Sequence, residues 1–323
     1  MKQFLLKSCL FLLFPLLALG WAKHSYRKMY PPEQNYYMAA LDKIALVRTQ
    51  ASPRVIFIGG SSVAFGIDSG LIATRLGMHP VNTGLHAGFG LDFFLDTVEP
   101  WVRAGDVVVL APEYEAFTEY FHADPETFAH FIETDGSLMS TLSWRQIRAV
   151  LDRGYALHLK KVLRVAMGTP APSRDLPVGL YSRSGFNANG DFLAHHGQPS
   201  SVVPPARKSA WFVFKDNKDE TRAVAAIHYL NRFATNCRSK GVRVFLAHPP
   251  FYDRVFKQSR EDISRLDELL QRTLDIPMLD KPEDSALPLE LFYDTYYHLT
   301  ADGKRVHSDA LASRLQTALA RLP

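Results

Sequence analysis

Short, almost purely apolar runs constrain this chain more than any other feature. Residues 55–58 read Val-Ile-Phe-Ile and close on Gly59-Gly60, and residues 107–110 read Val-Val-Val-Leu. A third run, 242–247, ends at His248-Pro249-Pro250. A strand that is apolar on both faces has to be covered on both faces, which a parallel sheet wrapped by helices achieves. Helical patterns separate the runs: 68–76 with Asp68 or Ser69 as cap and Gly77 as stop, 91–102, 219–239 closed by Gly241, 261–274, and a closing helix over 300–322. Residues 80–82 and 276–279 add short strands, and Pro31-Pro32 opens a helix to about Thr49. The expected fold is a three-layer α/β/α sandwich with a mainly parallel, flavodoxin-like sheet.

Residues 114–215 break this rhythm. They hold aromatic-rich loops, a basic helix at 143–167 and a Gly/Pro/Ser/Asn-rich stretch, and they read as a large insertion over the C-terminal edge of the sheet. The 323 residues are 47% hydrophobic and 22% charged, which excludes a disordered or fibrous chain. A net charge of +4 is too small to point to nucleic acid. Six basic residues of the 143–167 helix (Arg145, Arg148, Arg153, Lys160, Lys161, Arg164) face Asp152 alone; they suit a solvated face or contact with anionic headgroups or polymer.

Lys2 and Lys7 precede the apolar run CLFLLFPLLALGWA, which begins at Cys9. Residues 1–22 are therefore expected to be a signal anchor, or a signal peptide cleaved near Ala18-Leu19-Gly20. Residues 23–53 would be stem and first helix, and 54–323 the main domain, outside the cytoplasm. Of two cysteines, Cys9 lies in the leader and Cys237 is left without a partner, so no internal disulfide is expected.

In an open parallel sheet, ligands bind beyond the C-terminal strand ends. Four segments fall there: Gly59-Gly60-Ser61-Ser62, Asn82-Thr83-Gly84-Leu85-His86, Ala111-Pro112-Glu113-Tyr114, and Tyr293-Asp294-Thr295-Tyr296-Tyr297-His298-Leu299 before the last helix. Two glycines before Ser61 allow a tight turn that exposes a hydroxyl among free backbone N–H groups. Taken alone, Ser61 fits a structural turn serine equally well.

Together these blocks resemble the SGNH (GDSL-type) hydrolases, in particular membrane-anchored members linked to polysaccharide O-acylation. The resemblance covers most of 54–112 and 220–320. It implies Ser61 as nucleophile, with Ser62 one residue away as the alternative, His298 as general base and Asp294 as its orienting acid. It implies an oxyanion hole from the N–H groups of Ser61 and Gly84. The family's third block carries an asparagine where this chain has Pro112-Glu113-Tyr114, so Tyr114 is the candidate third donor. The family acid stands three residues before the histidine; here that position is Thr295 and the carboxylate is one further back. Ser62, Asn82, His86, Glu113 and Tyr297 would line the substrate site.

The resemblance and the leader together imply an extracytoplasmic serine esterase or O-acyltransferase acting on O-acyl groups of a cell-envelope or exported polysaccharide. Its expected partners are that polymer, the membrane through the leader, and a membrane acyltransferase; no metal or cofactor is expected. A carbohydrate-binding or scaffold protein on a degenerate fold, and a lipase or thioesterase, are the competing readings. Tyr114, Phe117, Tyr120 and Phe121 suit a sugar-stacking wall or the insertion's own core. His195-His196 reads as a solvated loop, and His248 as the shaped end of a strand or a lining of the cleft.

Overall fold

β1 (Arg54–Ile58) is buried along its whole length and lies centrally, with β2 (His79–Asn82) on one side and β3 (Val107–Leu110) on the other. β4 (Arg243–Leu246) pairs with the far edge of β3, giving a four-stranded parallel sheet of order β2-β1-β3-β4. The protein is therefore α/β, as the apolar runs require. The computed structural model describes residues 31–124, 179–204 and 211–321, together with a short helix, Trp144–Ala149, and isolated positions elsewhere.

Two compact units divide the chain. One comprises Ala39–Asp124 and Gly185–Pro323, and the other Met1–Met38 and Pro125–Ser184. The sheet belongs to the first. Its helices are α1 (Ala39–Thr49), α2 (Ser61–Gly66), α3 (Ser69–Leu76), α4 (Leu91–Val98), α5 (Asn217–Ser239), α6 (Asp253–Gln258), α7 (Arg260–Thr273) and α8 (Ala301–Ala320). Side chains alternate across the pleat. On one face Val55, Phe57, Val107, Val109 and Phe245 pack with Val63 of α2, Ile72 of α3 and Leu311 and Leu315 of α8. Ile56, Ile58, Val108 and Leu110 point to the opposite face and are equally buried. There α1 contacts β2, and α5 contacts β4 and α7.

Local chemistry sets the element ends. Asp68 caps α3 by accepting from the Leu71 N–H at 3.0 Å, and Gly77 ends it in the left-handed conformation (φ 63°). Asp216 caps α5 and Thr300 caps α8. The helix expected over 91–102 stops at Val98, because Pro100 admits only a 3-10 turn over Glu99–Trp101. The strand expected at 276–279 shrinks to a single parallel bridge, Leu246↔Met278, beside Pro277, which has no N–H to donate. A further parallel pair, β5 (Phe251–Tyr252) with β6 (Ala286–Leu287), was not legible in the sequence.

The described part of the second unit includes 3-10 turns at Pro32–Gln34 and Tyr36–Met38, with Tyr36 edge-on to Tyr181 at 5.5 Å. The helix expected from Pro32 thus begins only at Ala39. Asn35 stays extended, and its side chain takes the Tyr37 N–H at 3.0 Å. The leader and most of the 143–167 segment lie outside the described residues. Among the described residues no helix is long and apolar enough to cross a membrane.

At the N-terminal edge of the sheet, Arg54 and Asp106 form a fully buried ion pair. Arg54 Nε lies 3.2 and 3.1 Å from the two carboxylate oxygens, and its guanidinium also donates to the Val47 and Trp101 carbonyls. Burial alone would raise the Asp106 pKa; the Arg54 bonds, the Arg103 N–H and the Ser52 hydroxyl overcome that and hold it below the usual carboxylate value.

Candidate active site

The site grows from the register of β1 and β3. Ile58 pairs with Leu110, so Gly60 and Glu113 leave the sheet at the same edge. Gly59 is needed there: a Cβ would stand 2.5 Å from the Ala111 carbonyl oxygen. A Cβ on Gly60 would overlap both carboxylate oxygens of Glu113. Helix α2 starts immediately afterwards, with Ser61 as its first residue.

Ser61 is partly exposed, whereas Ser62 is buried and its hydroxyl finds no hydrogen-bond partner. Of the two serines, only Ser61 presents its hydroxyl at the surface of the turn. That hydroxyl donates to Glu113 Oε1 at 3.4 Å. The same carboxylate accepts the Gly60 N–H at 3.1 Å and the Ser62 N–H at 2.8 Å. Between them, the Ser61 N–H has no acceptor among the described residues.

Asp294 and His298 sit on a tight turn closed by an antiparallel bridge, Phe292↔Leu299. His298 Nδ1 lies 2.8 Å from Asp294 Oδ1. A carboxylate only accepts, so neutral His298 carries its proton on Nδ1 and offers Nε2 as the base. Thr295, three residues before His298, braces the turn, its hydroxyl accepting the His298 N–H at 3.1 Å and the Tyr297 N–H at 3.3 Å. The imidazole lies flat on Phe65 of α2, centroids 3.9 Å apart and planes 7° apart. Phe65 stands one helical turn after Ser61, so the helix that presents the serine also carries the histidine. The Ser61 hydroxyl is turned to Glu113, and no hydrogen bond joins it to His298.

The other candidate residues fall in different roles. Asn82 is fully buried; its amide donates to Val63 O at 3.0 Å and Asp191 Oδ1 at 2.8 Å, and its Oδ1 accepts the Gly84 N–H at 3.0 Å. The Gly84 donor is thus engaged inside its own turn. The glycine is required because a Cβ would stand 2.5 Å from Ala64 N. Tyr114 is buried against Phe212, Phe251 and His248, and its hydroxyl finds no partner. Burial pushes its pKa well above the ordinary tyrosine value. The residue at the end of β3 that reaches the Ser61 turn is Glu113, since neighbours on an extended chain point opposite ways.

His86 is exposed, and its Nδ1 accepts the Gly88 N–H at 3.0 Å. Tyr297 is buried and stacked on Phe251, with its hydroxyl donating to Glu115 Oε2 at 2.8 Å. Burial raises Glu115 to about 7. Tyr114, Phe117 and Phe121 are buried, which leaves Tyr120, 38% exposed, as the one member of the expected aromatic wall that meets solvent.

His195 corrects the reading of a solvated pair. It is 2% exposed, and its Nε2 lies 2.9 Å from the Leu299 carbonyl next to His298. Its ring packs on Phe65 and Phe192, and burial, with Lys304 nearby, lowers its pKa to about 3. His196 is exposed. His248 is buried at the end of β4, its N–H bonded to Asp280 Oδ1 at 2.8 Å.

A buried polar framework escaped the sequence altogether. Asp191 accepts from Ser69 N–H and hydroxyl and from Asn82. Lys43 donates to the Asn82 and Gly190 carbonyls at 3.0 and 2.6 Å, and Lys304 to the Phe192 carbonyl at 2.8 Å. These bonds tie residues 185–196 to α1, α3, β2 and α8. Burial lowers Lys43 to about 7 and Lys304 to about 8, against the pull of Asp191. No local signal links positions more than 100 residues apart.

Among the described residues no His, Cys, Asp and Glu cluster could hold a metal ion. Compared with known proteins, the chain matches no family model and no curated protein.

Proposed function

We propose that this chain is an SGNH-type serine esterase or O-acyltransferase. The observation that carries the reading is the pairing of Asp294–His298 with the helix that begins at Ser61, joined through Phe65, at the C-terminal edge of a parallel sheet. Ser61 turns from Glu113 toward His298. As Oγ attacks the acyl carbonyl, its proton passes to His298 Nε2, and Asp294 holds the imidazolium that forms. The Ser61 N–H faces the developing oxyanion, a donor of this kind being worth roughly 3 kcal/mol in the transition state. His298 then returns the proton to the leaving alcohol, and an acyl-serine ester remains. Water or an acceptor hydroxyl attacks that ester by the same steps in reverse.

The substrate we propose is a small O-acyl group such as acetyl on an envelope or exported polysaccharide, met outside the cytoplasm. This part rests on the leader at 1–22 and on the family resemblance. Release of p-nitrophenol from p-nitrophenyl acetate by the full chain in detergent, wild type against Ser61→Ala, tests the nucleophile; equal rates overturn it.

The engaged Gly84 N–H and the Ser61 hydroxyl held by Glu113 favour a second reading, a carbohydrate-binding or scaffold protein beside a membrane acyltransferase. A fluorophosphonate probe separates the two, since a pure binding protein leaves Ser61 unlabelled.

A further inference from the structure

Three donors converge on one buried carboxylate beside the proposed nucleophile. Glu113 is 4% exposed, and its oxygens accept from the N–H groups of Gly60 and Ser62 and from the Ser61 hydroxyl. A Cβ at residue 60 would stand 2.2 to 2.6 Å from the carboxylate where it now lies, so a side chain there would force the end of Glu113 to move. The backbone approach is set by the β1–β3 register, which brings residues 60 and 113 out of the sheet together.

We infer that Glu113 is a positioning residue for Ser61: its carboxylate clamps the N–H groups on either side of the serine and holds the serine hydroxyl in the resting site. The inference rests on Ser61 being the nucleophile. Clamping both flanking N–H groups has two consequences. It fixes the backbone of the Gly60–Ser62 turn, and it leaves the Ser61 N–H as the one donor of that turn without an acceptor among the described residues. In the resting site the Ser61 hydroxyl points to Glu113, and it turns to His298 on reaction. Glu113 does not take the proton in this scheme. It is neither a substrate-lining group nor a substitute for the missing oxyanion donor, because its oxygens are already occupied and can only accept.

A glutamine at 113 keeps the shape but presents one amide NH₂ to a backbone N–H, so one of the two clamps is lost. Two readouts on the full chain in detergent test this. The first is the rate of Ser61 labelling by a fluorophosphonate probe, in wild type, Glu113→Gln and Glu113→Asp, each checked for a native melting transition. A misplacement of the nucleophile by about 1 Å costs on the order of 100-fold in rate, which is the slowing expected for Glu113→Gln. Glu113→Asp, which keeps the charge on a shorter arm, should recover part of that loss. The second readout is independent of chemistry: in wild type the backbone N–H groups of Gly60 and Ser62, both bonded to Glu113, should exchange with solvent more slowly than that of Ser61.

Folded Glu113→Gln labelling within about threefold of wild type overturns the inference, since misplacement predicts far more, and so do Gly60 and Ser62 amides that exchange as fast as that of Ser61. If Glu113→Gln does not fold, Glu113→Asp and the wild-type exchange decide. Wild type that stays unlabelled while both amides are protected overturns the proposed serine chemistry and with it the positioning of a nucleophile, and keeps the clamp on the turn.

Discussion

Phe65 and His298 lie face to face, ring centroids 3.9 Å apart. Phe65 is fully buried and belongs to the helix that starts with Ser61. Asp294 sets the rotation and tautomer of the imidazole, and Phe65 sets its plane.

Replacing the platform should separate catalysis from folding. Phe65→Ala removes a fully buried ring and should cost about 3–5 kcal/mol. Phe65→Leu fills most of the volume and should cost under about 1.5 kcal/mol. It still lets the imidazole tilt, so kcat for p-nitrophenyl acetate should fall about tenfold or more with KM little changed. Unchanged kcat in folded Phe65→Leu would show that stacking does not hold His298.

The two serines should respond in opposite ways. Ser62→Ala deletes a buried hydroxyl that has no partner, so the variant should melt at or slightly above wild type, by up to about 1 kcal/mol, and keep probe labelling. Ser61→Ala should fold normally and lose labelling. Loss of labelling in Ser62→Ala alone would reverse the assignment.

Arg54→Met should destabilise by about 3–5 kcal/mol, because it strands the Asp106 carboxylate in the interior. The pH dependence follows from the same pair. Asp106 is held below its unfolded value, so its contribution is present above the unfolded pKa and is lost as pH falls through the folded pKa. Denaturant unfolding of wild type from about neutral pH down to about pH 3 should show this loss, and Arg54→Met should show less of it.

Lys43 predicts a rise in stability on the alkaline side. Burial lowers its folded pKa to about 7, from 10.5 for the free side chain. Between those values the unfolded chain binds the extra proton, so unfolding free energy climbs as pH rises from about 7 and levels off near the unfolded pKa. Lys43→Met should flatten that climb. A wild-type profile that is flat or falls over this interval would count against a strained ammonium at this position.

Much of the fold was legible because burial on both faces leaves a local trace. The runs at 55–58 and 107–110 mark central strands whatever the rest of the chain does, and Asp68, Gly77 and Thr300 mark helix ends through bonds spanning three or four residues. Pro277 and Pro100 altered two of the expected elements, since a missing N–H removes a ladder bond or a helical turn. His195, read as a solvated loop residue, is buried because the segment around it is tied down through Asp191 to Ser69 and Asn82 and through the Gly190 and Phe192 carbonyls to Lys43 and Lys304, partners that lie far along the chain.

At the candidate site the division is similar. The apolar runs place Ser61, Asn82 and Glu113 just after strands, and so at the ligand-binding end of a parallel sheet. That Asp294 and His298 lie together before the last helix is what the family resemblance implied, not periodicity or spacing. Three-dimensional packing was needed to settle which serine is exposed, which neighbour of Tyr114 reaches it, and that the Gly84 N–H is engaged by Asn82. Those outcomes depend on side-chain direction and close backbone approach between strands far apart in sequence, and such contacts have no local signature.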